Sequence, residues 1–402
     1  MSQPETASFR TWLALAVYGT GSFTTMLNLG FLSPLLRPIG DAFGTPDAVT
    51  GQLATISAMV TFVAALVATP WMDRWSRATW FRLLGILLLV GTLLSALAPT
   101  FGVLVIARVI AALGASVVTA NSLTGARELF PDPVWRNRAI GILVSATTVG
   151  FVVGLPAITQ IAAHLGWRVA VASMALPVLF MIGGTWLLPN APALAVSSRL
   201  PVLASFRAVL GNGRVRAVLV ALGLNLAMYT GWLVYFGAYV TDVFAASAAL
   251  LSTLFLISGF TELAANNLTP PLLRRFAAVP VLHVMLAAAG ASLLLTGIAI
   301  TTVPAALAAA IVILNTTAAA YIACNAILLD GEHSHPGAVM SVASAGIGLG
   351  NTLGPALVGW SLAITGSFEA AYRTLGLLAP LAMLAVWLGT RSRRPASGQL
   401  SP

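Results

Sequence analysis

Runs of about twenty mostly apolar residues recur along this chain, at 11–33, 48–70, 80–98, 102–124, 138–162, 168–188, 216–240, 249–272, 279–301, 303–329, 338–362 and 371–390. A bilayer core of ~30 Å is crossed by a helix of about 20 such residues. A backbone in lipid must satisfy its own hydrogen bonds, so each run is predicted to be helical. Barrel strands would show as segments of about ten residues of alternating polarity, and no such pattern is present. Only 8% of the residues are charged, against about 25% in a soluble domain, so water is not the main solvent of this protein. The expected fold class is an all-α membrane protein of twelve transmembrane helices.

The net charge of +9 comes from arginine alone, since the chain contains no lysine. The arginines form no continuous patch, which argues against nucleic acid as a partner and for the lipid bilayer surface. With the N-terminus in the cytoplasm, sixteen arginines fall in cytoplasmic segments. Three fall outside (Arg37, Arg168 and Arg373), and Arg108 lies within a span. Such a bias predicts a multi-pass protein of the inner (plasma) membrane with both termini cytoplasmic. The first run is too long for a signal-peptide core and lacks a small-residue cleavage site. The single cysteine, Cys324, permits no intrachain disulfide.

The longest polar connection, with the Pro- and Ser-containing stretch "PNAPALAVSSRLP", divides the chain. The expected organisation is an N-terminal six-helix bundle at 1–189, a cytoplasmic linker at 190–214 and a C-terminal six-helix bundle at 215–402. Short matches link the halves at an offset of about two hundred: "TPWMDR" at 69–74 with "TPPLLRR" at 269–275, "GFVVG" at 150–154 with "GNTLG" at 350–354, and "DAF" at 41–43 with "DVF" at 242–244. Together they predict two pseudo-symmetric bundles. Parallel six-helix repeats with a binding site near mid-depth form one large transporter architecture.

Over nearly its whole length the chain resembles the major facilitator superfamily. Thr69-x-x-x-Asp73-Arg74-x-Ser76-Arg77 keeps the charges of that family's G-x-x-x-D-R-x-G-[RK] signature and loses both glycines. "PLLRPIGDAFG" at 34–44 resembles the end of the family's first helix, and Arg108 in "IARVIAALGA" matches its fourth-helix arginine. "GFVVGLPA" at 150–157, followed by "LGWR", resembles the fifth-helix motif of exporters. The chain is most similar to the twelve-span drug:proton antiporters, a subgroup that includes sugar- and nucleoside-efflux members. That subgroup often has an acid in a "GTxEF"-like stretch of the first helix; this chain reads "GTGSF", with Ser22 in the acid's place.

An acid adds little to orientation, so Asp73 calls for a reason of its own. A conformational latch on the cytoplasmic side fits, in which Asp73, with Arg74 and Arg77 beside it, pairs with Arg127 or with the positive N-terminal end of the eleventh helix. Arg108 lies ~9 Å into its helix at 1.5 Å per residue. It either snorkels to the interface or, as the resemblance implies, faces a cavity and takes part in proton coupling or substrate binding. Glu262 is the one acid deep in a span. Burial disfavours the charged form of a carboxyl, the property a proton carrier needs, so Glu262 is the leading coupling candidate, with a purely structural glutamate as the alternative. Asn266 follows one turn on.

Gly150, Gly154, Gly350 and Gly354 stand at four-residue steps that allow close helix approach, and Pro156 and Pro355 allow bending. Asn28, Asn121, Asn225, Tyr229, Trp232, Tyr235, Asn266 and Asn325 are the candidate lining of a substrate cavity. Packing is the competing reading for the aromatic residues. A cavity so lined suits neutral or weakly cationic organic molecules. His333 and His335 make a poor metal site, and no metal or cofactor is expected.

The resulting expectation is a monomeric secondary transporter that exports small organic molecules, drug-like or metabolite, by proton antiport through alternating access. A facilitator, a proton-coupled importer and a transport-dead receptor are the alternatives. An intramembrane enzyme is disfavoured, because the chain has no H-E-x-x-H or G-x-S-x-G motif.

Overall fold

The computed structural model describes residues 8–68, 74–188, 211–329 and 336–391. Among these residues the structure is helical, with no strand. The elements are α1 (Phe9–Gly30), α2 (Leu32–Phe43), α3 (Asp47–Ala68), α4 (Arg77–Leu97), α5 (Phe101–Leu129), α6 (Pro133–Leu165), α7 (Trp167–Leu187), α8 (Gly213–Phe244), α9 (Ala248–Arg275), α10 (Ala278–Leu294), α11 (Val303–Leu329), α12 (Pro336–Thr365) and α13 (Phe368–Thr390). Ten of these are long and apolar enough to cross a membrane. The first span, α1 continued by α2 past Phe31, and the short ninth, α10, complete the twelve predicted.

Two boundaries differ most from the sequence reading. Helix continues to Phe43 rather than stopping near 33, and it ends where Gly44 adopts a left-handed φ of 63°, the conformation that glycine supplies at a helix C-terminus. The ninth span stops at Leu294 rather than 301, ahead of Gly297 with a φ of 77°.

Helix starts are capped as the local sequence dictates. Ser76 Oγ accepts from Thr79 N–H, Thr100 Oγ1 from Val103 N–H, and Asp132 from Val134 and Trp135 N–H, with Pro133 in the first turn. The sixth element is irregular at Gly150–Gly154, a π-helical turn shortly before Pro156. A proline ring clashes with the carbonyl four residues back, and a wider turn relieves that clash.

Internal contacts group the chain into two compact units. The first comprises Met1–Val196 with Leu233–Leu263, the second Ser197–Trp232 with Ala264–Pro402. Residues 233–263, assigned by sequence to the C-terminal bundle, thus pack with the first unit. Residues 189–210, which hold most of the predicted linker, lie outside the described residues. The first unit's core is built by Leu15, Tyr18, Phe81, Leu84, Leu88, Val118, Leu143, Val178 and Met181. In the second unit, α12 lies directly against α8: a Cβ on Gly350 would strike Gly223 O, and one on Gly354 would strike Ala227 O.

Candidate functional site

In the first unit α5 brings Arg108 against α1. The residue is 1% exposed, and Nη2 donates to Asn28 Oδ1 at 2.6 Å. The guanidinium carbon stands 4.3 Å from the centre of the Phe31 ring. Arg108 therefore does not snorkel. It is held by Asn28, a residue the sequence assigned separately to the cavity. Its Nε and Nη1 are buried and meet no acceptor among the described residues. Burying a cation without full compensation costs several kcal/mol, about the scale of a domain's net stability, so packing alone does not explain an arginine at this position. Ser22, in place of the subgroup's acid, is buried with its Oγ also unmatched among the described residues.

Of the charged turn, Asp73 lies outside the described residues. Arg74 and Arg127 are exposed. Arg77 is buried: Nε and Nη2 both donate to Glu128 Oε1, at 3.1 and 3.0 Å, and Nη1 approaches Asn121 Oδ1 at 3.5 Å. Asn121 is fully buried and returns Nδ2–H to Arg77 O at 3.3 Å, so its amide serves the Arg77 cluster. Sequence reasoning missed Glu128, which sits next to the arginine it did select. Glu128→Gln is expected to destabilise the protein by about 3 kcal/mol, the low end for breaking a buried pair, because the Glu128 side chain is 30% exposed. Thermal unfolding in detergent checks this.

A second charged cluster was also missed. Arg37 Nε donates to Asp47 Oδ2 at 3.1 Å, and Nη2 to Asp242 Oδ1 at 2.6 Å. One guanidinium thus fastens α2 to the start of α3 and the end of α8, all within the first unit. Next to it, Gly237 N–H donates to Ser33 Oγ at 3.3 Å, and a side chain at 237 would run into Ser33 O. Gly51 likewise leaves room for the Tyr235 ring. The sequence contained a trace of this cluster: Asp242 belongs to the "DVF" that repeats "DAF".

Glu262 is on α9, with Oε2 buried and unmatched among the described residues. Three residues earlier on the same face, Gly259 meets Val152 and Phe151 of the π-turn. Phe255 packs edge-on to Phe151 at 5.8 Å, and Ser252 Oγ accepts from Gln160 at 2.8 Å. Glu262 therefore continues the face of α9 that lies on the irregular turn of α6. Gly150 and Gly154 have a packing role there, because side chains at these positions would meet Phe23 O and Met26, and Leu27, of α1.

In the second unit, Asn225 Nδ2 donates to Thr317 O at 2.9 Å, and Asn325 Nδ2 to Tyr321 O at 2.8 Å. Trp232 is buried, and its carbonyl accepts from Tyr372 Oη at 3.3 Å. Tyr229 and Asn266 are half-buried. The three aromatic candidates are thus divided, since Tyr235 packs in the first unit on Gly51.

A family profile described as Major Facilitator Superfamily matches residues 18–331. A "Probable sugar efflux transporter" of Haemophilus influenzae is 28% identical over 239 residues, covering 58% of this chain and 58% of that protein. A "Chloramphenicol resistance protein" of Streptomyces lividans is 32% identical over 236 residues, covering 57% of each. The matches thus span less than two thirds of these relatives' own length. Among solved structures, a D-xylose-proton symporter superposes with a TM-score of 0.75 at 16% identity, over 94% of this chain and 97% of that one. At that identity the likeness concerns the fold.

Proposed function

The chain belongs to the major facilitator superfamily, and from that membership we propose that it exports small organic molecules across the bacterial inner membrane, in exchange for protons, by alternating access. Membership of a transporter family favours transport over catalysis. The relatives' names, efflux in one and resistance in the other, support the outward direction. The arginine distribution supports a topology with both termini in the cytoplasm, and the protein is proposed to act as a monomer.

The observation that carries proton coupling is Glu262, a carboxyl with an unmatched buried oxygen, placed on the helix face that meets the π-turn. Gaining or losing a proton there changes the cost of burial beside a helix segment that already departs from α geometry, and π-turns recur at functional sites. Arg108, with two unmatched nitrogen positions and no carboxylate partner among the described residues, is proposed as the second member of the coupling pair. On the proposed topology the Arg37 clasp lies on the outer side, and the Arg77 cluster, with Asp73, on the inner side as the latch.

The test uses energised everted vesicles with a pH-sensitive dye. The wild-type protein is expected to release lumenal protons when cargo is added. Glu262→Gln is expected to lose that signal and at least tenfold of its uphill accumulation, and to keep downhill flux. Proton movement unchanged in Glu262→Gln would remove Glu262 from the coupling role. The second reading, a facilitator, is favoured by Ser22 standing where the subgroup has an acid; it expects wild-type protein that equilibrates cargo and moves no protons.

A further inference from the structure

Two asparagines of the second unit, Asn225 and Asn325, have amides whose polarity is fixed. Asn225 gives its Nδ2 hydrogen to Thr317 O, and Asn325 gives its own to Tyr321 O. A carbonyl can only accept, so the amide nitrogen occupies that end in both residues and Oδ1 faces away. Both Oδ1 atoms are buried and meet no donor among the described residues. Buried acceptors in folded proteins are almost always matched, so two left unmatched with the same polarity point to a partner that arrives with donors. Asn315 Oδ1 on α11 and Asn351 Oδ1 on α12 are likewise buried and meet no donor among the described residues. Asn351 adjoins Gly350, which rests on Gly223 O two residues from Asn225.

Thr317, Tyr321 and Asn325 follow four-residue steps on one face of α11, and Tyr321, 39% exposed, stands between the two acceptor levels. Those levels are ~12 Å apart along the helix. No Asp, Glu or Arg occurs in α11, in α12 or between residues 217 and 241 of α8. A wall of neutral acceptors offers no counter-charge to an anion or to a cation. It rewards hydroxyl or amine hydrogens, and the tyrosine ring offers a surface to a flat or apolar face.

We propose that this wall recognises the cargo by accepting hydrogen bonds from it, and so selects neutral, donor-rich molecules of the sugar or nucleoside kind. The proposal rests on the export reading above and adds the chemical class of what is exported.

Energised everted vesicles test it with matched probes: labelled inosine and its tri-O-methyl ether, methyl galactoside and its tetra-O-methyl ether, and tetraphenylphosphonium, a cation without donors. At least one hydroxylated probe is expected to accumulate tenfold or more above its ether. Asn225→Ala and Asn325→Ala are expected to erase that difference. Asn351→Ala, which removes a third buried acceptor from a different helix, keeps the test readable if Asn225→Ala fails to reach the membrane. Equal accumulation of parent and ether overturns the proposal, as do variants that lower both alike. Accumulation of tetraphenylphosphonium with exclusion of every hydroxylated probe leaves export standing and removes this cargo class. Failure to move any probe removes the export reading, and the cargo class with it.

Discussion

Arg108→Ala is expected to lower export by a hundredfold or more while leaving the protein in the membrane with an unchanged or raised melting temperature. The two halves of this expectation have different origins. Asn28 Oδ1 loses its 2.6 Å donor, which costs about 1–3 kcal/mol. Against this, a buried cation with two unmatched nitrogen positions disappears, and with it a desolvation penalty of several kcal/mol. A residue that destabilises where it sits and is nonetheless present fits a role in the transport cycle. Arg108→Lys separates charge from shape. An ammonium can still reach Asn28, but it lacks the planar fork and its face-on contact with Phe31, so partial export is expected. Export assays paired with thermal unfolding in detergent decide the matter: an unfolded Arg108→Ala protein would make the residue structural, and unimpaired export would leave it without a role.

Gly354→Val is expected to prevent accumulation of folded protein. A Cβ at 354 would overlap Ala227 O and stand 2.8 Å from Gly231 N. Both obstacles are backbone, which cannot rotate aside as a side chain can, so α12 and α8 would have to separate. The penalty is about 3 kcal/mol, the top of the usual range for an overpacked site. Gly183→Ala is the control, because nothing lies within 4 Å of a Cβ there; in a helix that change is expected to add about 0.5–1 kcal/mol. Membrane levels and melting temperatures of the two variants should therefore move in opposite directions.

How much was legible in the sequence depends on the range of the interaction concerned. Span number followed from apolar run length, because lipid imposes helix on every such segment. The four-residue glycine steps identified α6 and α12 as closely packed helices, since that spacing repeats one helix face. The identity of the partner did not follow: nothing in "GNTLG" names Ala227. Arg108 and Asn28 were each selected, eighty residues apart, for separate tasks, and only the fold shows that one holds the other. Glu128 was passed over because its pairing with Arg77 depends on how α5 returns along α4. Arg37 counted only as a charge on one side of a tally, because the "DVF" repeat marks Asp242 without pairing it to an arginine two hundred residues earlier.

The clasp at Arg37 has one further consequence. Its arms reach Asp47, 17% exposed, and Asp242, 46% exposed, from an Arg37 side chain that is 37% exposed, and the more exposed pair contributes about 1 kcal/mol or less. That is of the order of the random jostling energy of the surrounding water. On the proposed topology this fastening faces the outside, and a brackish exterior would loosen its more exposed arm further.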